Sequence, residues 1–269
     1  MSGGPGSGLR LALSLFSVAP VGDTAPMSAP RAIRAVCWLP VVGAVIGLVS
    51  ALPALMVWRG GGHGSALLAA ALVVTAQALL TRGLHLDGLA DLADGLGSRR
   101  PAGEALAVMK RSDIGPFGVA AVVFGLLLQV CALSTVLDRD PRPAGVVVIL
   151  AVAATSRLAV LWAAGTGVPA ARPGGFGALV AGTAGPAVRV VGTAVVLAAA
   201  GGGLALAGAG TAEVGWLLGA QVTALLVAWL VRAHAVRRLG GVTGDVFGAL
   251  VEIAATVLLV VAAAESAWR

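Results

Sequence analysis

Charge is scarce in this sequence. Only 11% of its 269 residues are Asp, Glu, Lys or Arg, against roughly a quarter in soluble domains. Hydrophobic residues make up 58% and the mean hydropathy is +0.98, more apolar surface than a water-soluble fold can hide. Cysteine is scarce as well. Cys37 and Cys131 lie in apolar stretches and match no metal-ligand spacing, which rules out a disulfide framework and reads as two buried free thiols. Strict apolar–polar alternation is missing, and with it a transmembrane barrel. The chain also lacks a low-complexity tail, a separate soluble domain and an internal repeat.

What is present is a series of long apolar segments. A helix needs about 20 apolar residues to cross the hydrocarbon, so a chain of this length holds about eight at most. The expected fold is all-α: a polytopic transmembrane helical bundle of about seven spans, with residues 1–269 forming one integral membrane domain. The spans fall at 36–57, 65–81, 115–137, 144–166, 189–209, 215–231 and 246–264. The second is short and the fifth is interrupted by Gly201, Gly202 and Gly203. Leu9 to Ala19 carry one arginine and a short apolar core, which reads as an interfacial segment rather than a cleaved export signal.

The basic residues orient these spans. With the N-terminus in the cytoplasm, Arg10, Arg31, Arg34, Arg82, Arg99, Arg100, Lys110, Arg111, Arg172, Arg189, Arg232, Arg237 and Arg238 fall inside. Only Arg59, Arg139, Arg142 and Arg269 fall outside, and Arg157 is left within a span. The positive-inside rule therefore predicts N-in and C-out. The net charge of +6 then reports topology and phosphate contacts, not nucleic-acid binding.

Residues 81–118 concentrate charge as no other stretch does. At about 100° per residue a helix places Asp91 about 40° to one side of Asp87 and Asp94 about 20° to the other, so three carboxylates form one stripe. Like charges so arranged repel. A magnesium ion would relieve them, since it takes one or two carboxylates and fills its other positions with waters or substrate phosphates; a solvated face paired with nearby arginines is the plainer alternative. His85, about 160° from Asp87, reads either as a neutral structural histidine or as a general base. Lys110 and Arg111, ahead of Asp113 and the Gly115–Pro116 turn, read either as phosphate contacts or as charges that set a span's depth.

Later in the chain, Asp245 and Glu252 are seven residues apart and share a helical face. Glu252 lies about two turns into the last span, a costly position for an acid unless it faces a partner or cavity. Arg157 is its obvious partner, or else a phosphate ligand. Gly240, Gly241 and Gly244 suggest a turn that accommodates phosphate, while Arg237 and Arg238 also satisfy the positive-inside rule. Acids suited to magnesium and bases suited to phosphate thus share the cytoplasmic face. That is the inventory of phosphoryl transfer.

These residues resemble the cobalamin synthase, or adenosylcobinamide-GDP ribazoletransferase, family. The family's glycine, histidine and DGLAD-x-x-DG run is similar to Gly83 to Gly95, and its lysine segment ending in I-G-x-x-G is similar to Met109 to Gly118. A late GG-x-TGD-x-x-GA run matches Gly240 to Ala249, the opening LALSLFSVAP matches the family's first residues, and Pro40 to Gly47 its first span. The resemblance covers nearly the whole chain. One departure is that Lys110-Arg111-Ser112-Asp113 replaces a usual K-D-S-R, exchanging acid and base.

What the resemblance implies is transfer of the adenosylcobinamide phosphate group from adenosylcobinamide-GDP to α-ribazole or its 5′-phosphate, with release of GMP. Magnesium is the implied cofactor, held by Asp87, Asp91, Asp94 and Asp245. His85 or one of Asp87, Asp91 and Asp94 would act in catalysis, and Arg99, Lys110, Arg111, Arg157, Arg237 and Asp245 would bind substrate. The implied setting is the cytoplasmic membrane, with lipid around the bundle, the catalytic loops in the cytoplasm and self-association left open. A CDP-alcohol phosphotransferase is the nearest rival, but its D-G-x-x-A-R segment is not present. A cation-coupled transporter is the other, and it expects acids near the bilayer midplane and repeat symmetry.

Overall fold

The computed structural model describes residues 6–22, 26–58, 63–139 and 142–265. Arg59 and Arg269, two of the bases assigned to the outer side, lie outside the described residues. Helices α1 (Gly6–Phe16), α2 (Ala29–Val57), α3 (His63–Leu80), α4 (Leu84–Gly97), α5 (Ala102–Val108) and α6 (Pro116–Arg139) occupy the first half. They are followed by α7 (Arg142–Ala163), α8 (Gly175–Val180), α9 (Pro186–Leu206), α10 (Thr211–Leu239) and α11 (Gly244–Ala264). No strand occurs among the described residues. With no water in the hydrocarbon to satisfy backbone polar groups, the helix is the form a long apolar run adopts.

Six helices, α2, α6, α7, α9, α10 and α11, are long and apolar enough to cross a membrane. The second expected span, 65–81, differs. α3 meets the same test only together with α4, and the two are bent by 88°. Arg82 and Gly83, both at positive φ (56° and 68°), make that corner, and the Gly83 N–H closes α3 by donating to the Ala78 carbonyl at 2.8 Å. The chain leaves the short span α3 sideways, and α4 lies across the end of the bundle. The glycine-rich fifth span is nonetheless one continuous helix, α9. The interfacial segment is helix α1, packed on α2 through buried Leu11 and Ala12.

α7 is the central helix, with 83% of its apolar window buried against 22% for α6 and α9. It packs against α2, α9, α10 and α11. Polar bonds pin the packing inside the apolar core. Gln221 donates to Thr155 at 2.7 Å, Trp162 to Thr193 at 2.9 Å, and Gln129 to Glu252 at 2.9 Å; such interhelical bonds contribute about 0.6–2 kcal/mol each in a membrane. Residues such as Val119, Phe124 and Leu127 of α6 and Val191 of α9 point outward, toward where lipid would lie. So does Cys131, which corrects the expectation of two buried thiols.

At one end of the bundle three connections are tied together. The α7–α9 segment bonds to the α10–α11 turn through Ala171 N–H to the Val242 carbonyl (3.0 Å) and Val242 N–H to the Pro169 carbonyl (2.9 Å). Arg172 of the same segment donates to the Leu106 carbonyl of α5 at 2.7 Å. Arg82 reaches the Leu15 carbonyl of α1 at 3.0 Å. This is the end that carries most of the basic residues.

Candidate functional site

α4 and the start of α11 are joined backbone to backbone. A Cβ on Gly88 would lie 2.6 Å from the Asp245 carbonyl oxygen and 3.1 Å from Gly248 Cα, so only glycine permits this approach. The crossing brings the stripe on α4 beside Asp245, which is remote in sequence. Thr243 starts α11 by accepting from the Val246 N–H at 3.2 Å, and its hydroxyl donates to Asp245 at 3.1 Å.

The stripe exists as the spacing predicts, yet its three members have different surroundings. Asp87 is exposed and Asp91 half-buried. Burial, then the neighbouring carboxylates of Asp245, Asp87 and Asp94, push Asp91 up to about 7, with Arg172 pulling the other way. Asp94 is buried and engaged elsewhere. Its two oxygens accept from the Gly115 N–H at 2.7 Å and the Gly118 N–H at 2.9 Å, where α6 begins. A carboxylate at a helix N-terminus satisfies orphan donors and the helix dipole together. For Asp94, the compensation comes from outside its own helix, from the start of α6.

Two cavities meet at Asp87. The open cleft, about 510 Å³, is lined by Arg82, Asp87, Asp91, Arg111, Ser112 and Asp113 among others. The inner cavity, about 220 Å³, lies between α1, α2, α4, α7, α8 and α11 and includes His85, Asp87, Arg157 and Asp245. His85, which the helical angle turned away from Asp87, shares this second cavity with it. Burial, and then the Arg157 charge, push His85 well below the ordinary histidine range. Arg157 bonds to Ser156 and to the Ala153 carbonyl of its own helix. Glu252 instead accepts from Gln129, and no Arg157–Glu252 ion pair occurs among the described residues.

Among the described residues no three His, Cys, Asp or Glu side chains converge on one point in the way a preformed metal cage requires. The donor set still fits magnesium, which is normally held by one or two carboxylates with phosphates and waters completing the shell. Asp91 is raised first by its burial and only then by the carboxylates of Asp245, Asp87 and Asp94 around it.

The structure therefore brings together His85, Asp87, Asp91, Arg111, Arg157 and Asp245. Arg99, Lys110 and Arg237 are exposed and line neither cavity. Arg172 was not singled out by sequence as a site residue, yet it stands 3.9 Å from Asp245 while holding Leu106; its only sequence signal is a basic charge in a connection that the positive-inside rule assigns to the inner side. Of the two phenylalanines in the wall of the inner cavity, Phe16 lies in the opening LALSLFSVAP segment, whereas Phe176 had no signal in the sequence.

Comparison with known proteins adds an independent line. The profile of the cobalamin-5-phosphate synthase family matches residues 8–263. An adenosylcobinamide-GDP ribazoletransferase of Frankia casuarinae is 42% identical over 94% of this chain and 93% of its own length. Enzymes of the same name from Bradyrhizobium diazoefficiens (37%; 95% and 93% covered) and Pseudomonas aeruginosa strain PAO1 (38%; 94% and 96%) are similar to the same extent. No solved structure matches.

Proposed function

The chain belongs to the cobalamin-5-phosphate synthase family, and from that premise we propose that it is a magnesium-dependent membrane transferase. It moves the adenosylcobinamide phosphate group from adenosylcobinamide-GDP to α-ribazole or its 5′-phosphate and releases GMP. The observation that carries the reading is the meeting of two cavities at one carboxylate, Asp87.

In the reaction the ribose oxygen of the acceptor bonds to the phosphorus attached to the cobinamide arm. The bond from that phosphorus to the oxygen of GMP breaks, and the hydroxyl proton passes to a carboxylate. Asp87, exposed at the junction, orients the hydroxyl and takes that proton. Asp91 and Asp245 would hold magnesium, which when bound would neutralise the phosphate oxygens. Arg111 and Arg82 line the open cleft and bind the diphosphate there. Arg172 holds Asp245 in place, and Asp94 positions α4 by anchoring it to α6.

The chain sits in the cytoplasmic membrane with this face inward, a reading supported by the excess of bases at this end. The transporter alternative is disfavoured because the acids cluster at the end of the bundle. Purified protein, incubated with adenosylcobinamide-GDP, α-ribazole and magnesium, should release GMP and form the cobalamin product. Asp87→Ala, if folded, should not; wild-type turnover in that variant removes Asp87 from the reaction.

A further inference from the structure

The inner cavity differs in chemistry from the cleft on the other side of Asp87. Its wall is built mainly from Phe16, Leu39, Val160, Phe176, Phe247 and Val251. Phe16 and Phe176 meet edge to face, with 5.3 Å between ring centroids and 74° between planes. Two of its lining residues are polar, deeply buried and incompletely bonded: His85 is 5% exposed and Arg157 4%. Neither His85 Nδ1 nor Arg157 Nε has a hydrogen-bond partner among the described residues. Buried polar atoms in native proteins are normally satisfied, so such orphans mark where a ligand belongs.

We infer that this cavity is the acceptor's subsite and takes the flat aromatic base of ribazole, while the donor's diphosphate lies in the open cleft. The inference rests on the transferase reading above and goes beyond it by dividing the two substrates between the two cavities. Ribazole is a benzimidazole nucleoside, so its base is an apolar bicycle with one free ring nitrogen. An apolar cavity of about 150 Å³ holds a benzene ring, and the 220 Å³ here admits a second fused ring. His85 Nδ1 supplies a donor for the free nitrogen, and the phenylalanines supply aromatic contact.

The donor does not suit the same space. Guanine presents more hydrogen-bonding groups than this wall can answer, and a corrinoid ring far exceeds its volume. Asp87 lines both cavities, so a base seated inside leaves its ribose at the carboxylate where the cleft begins. Acceptor and donor then approach the reaction centre from opposite sides.

The test is direct binding to the full-length protein in detergent. α-Ribazole alone and GDP with magnesium are titrated separately by calorimetry, and GMP release is followed in parallel. Val160→Phe narrows the cavity and should weaken α-ribazole binding by about tenfold or more, a change within the range that pocket size commands; GDP affinity should stay unchanged. Phe176→Ala widens it and should shift preference toward a tricyclic naphthimidazole nucleoside, which covers the case in which Val160→Phe does not fold. Acceptor binding unaltered in the folded variants, or GDP binding lost in place of it, overturns the subsite while turnover by the wild type leaves the transferase reading standing. A wild type that neither binds α-ribazole nor releases GMP overturns both.

Discussion

Gly88 of α4 and Gly248 of α11 hold two helices so close that a Cβ on the first would lie 3.1 Å from the Cα of the second. This one contact sets the separation between the carboxylate stripe and Asp245. Gly88→Ala must push the helices apart or strain the backbone, at about 1–3 kcal/mol for an overpacked site. A lower unfolding temperature and a loss of GMP release beyond what the folded fraction explains are expected. Full activity in a Gly88→Ala protein would mean that Asp245 does not have to be held this near.

Asp94 is predicted to matter for folding. Replacing it by Ala removes two bonds from a charged acceptor to the start of α6, each worth about 1.5–3 kcal/mol, and should lower thermal stability more than Asp87→Ala does. Asn keeps one acceptor oxygen and should recover part of the loss. Magnesium affinity, measured on the folded fraction by calorimetry, should be changed less by Asp94→Asn than by Asp91→Asn; the reverse order contradicts the capping role.

The pH dependence follows from Asp91, whose value of about 7 lies above that of an unfolded carboxylate. The sign is that the protonated form is the one the fold favours. Asp91 thus supports stability fully below its unfolded pKa of about 4, and that support is lost as pH rises through about 7. A bound divalent ion reverses the preference, so magnesium must displace the proton. Its affinity should fall by up to about tenfold per unit as pH drops below about 7, and Asp91→Asn should flatten that slope. Calorimetric titrations at several pH values measure both.

Arg172 links three pieces of chain: its own segment, the Leu106 carbonyl of α5 and Asp245. Arg172→Ala should cost on the order of 1 kcal/mol from the partly buried polar groups left unmet and should lower turnover as Asp245 loses its restraint. Lys keeps the charge without the planar fork and should recover the charge-dependent part only. A thermal melt and a GMP-release assay on each variant separate the two effects.

The membrane character and the number of long helices are legible in the sequence, because a backbone in hydrocarbon must satisfy itself within about 20 residues. The acidic stripe is legible for the same reason: a helical repeat relates residues three and four apart, whatever surrounds them. What Asp87, Asp91 and Asp94 each do is not local. Asp94 caps a helix that starts beyond a loop, Asp91 feels Asp245 across a crossing that Gly88 permits, and Arg172 arrives from a segment with no motif. The sharp corner at Arg82 and Gly83 lays α4 across the end of the bundle, a direction that the helical repeat of α4 by itself does not encode. Periodicity acts over a turn or two of one helix, whereas which faces meet depends on close packing among all of them. The sequence alone therefore determined which residues carry charge and which apolar runs become long helices. Only the tertiary structure decided which of those charges face one another, and which aromatic walls stand beside them.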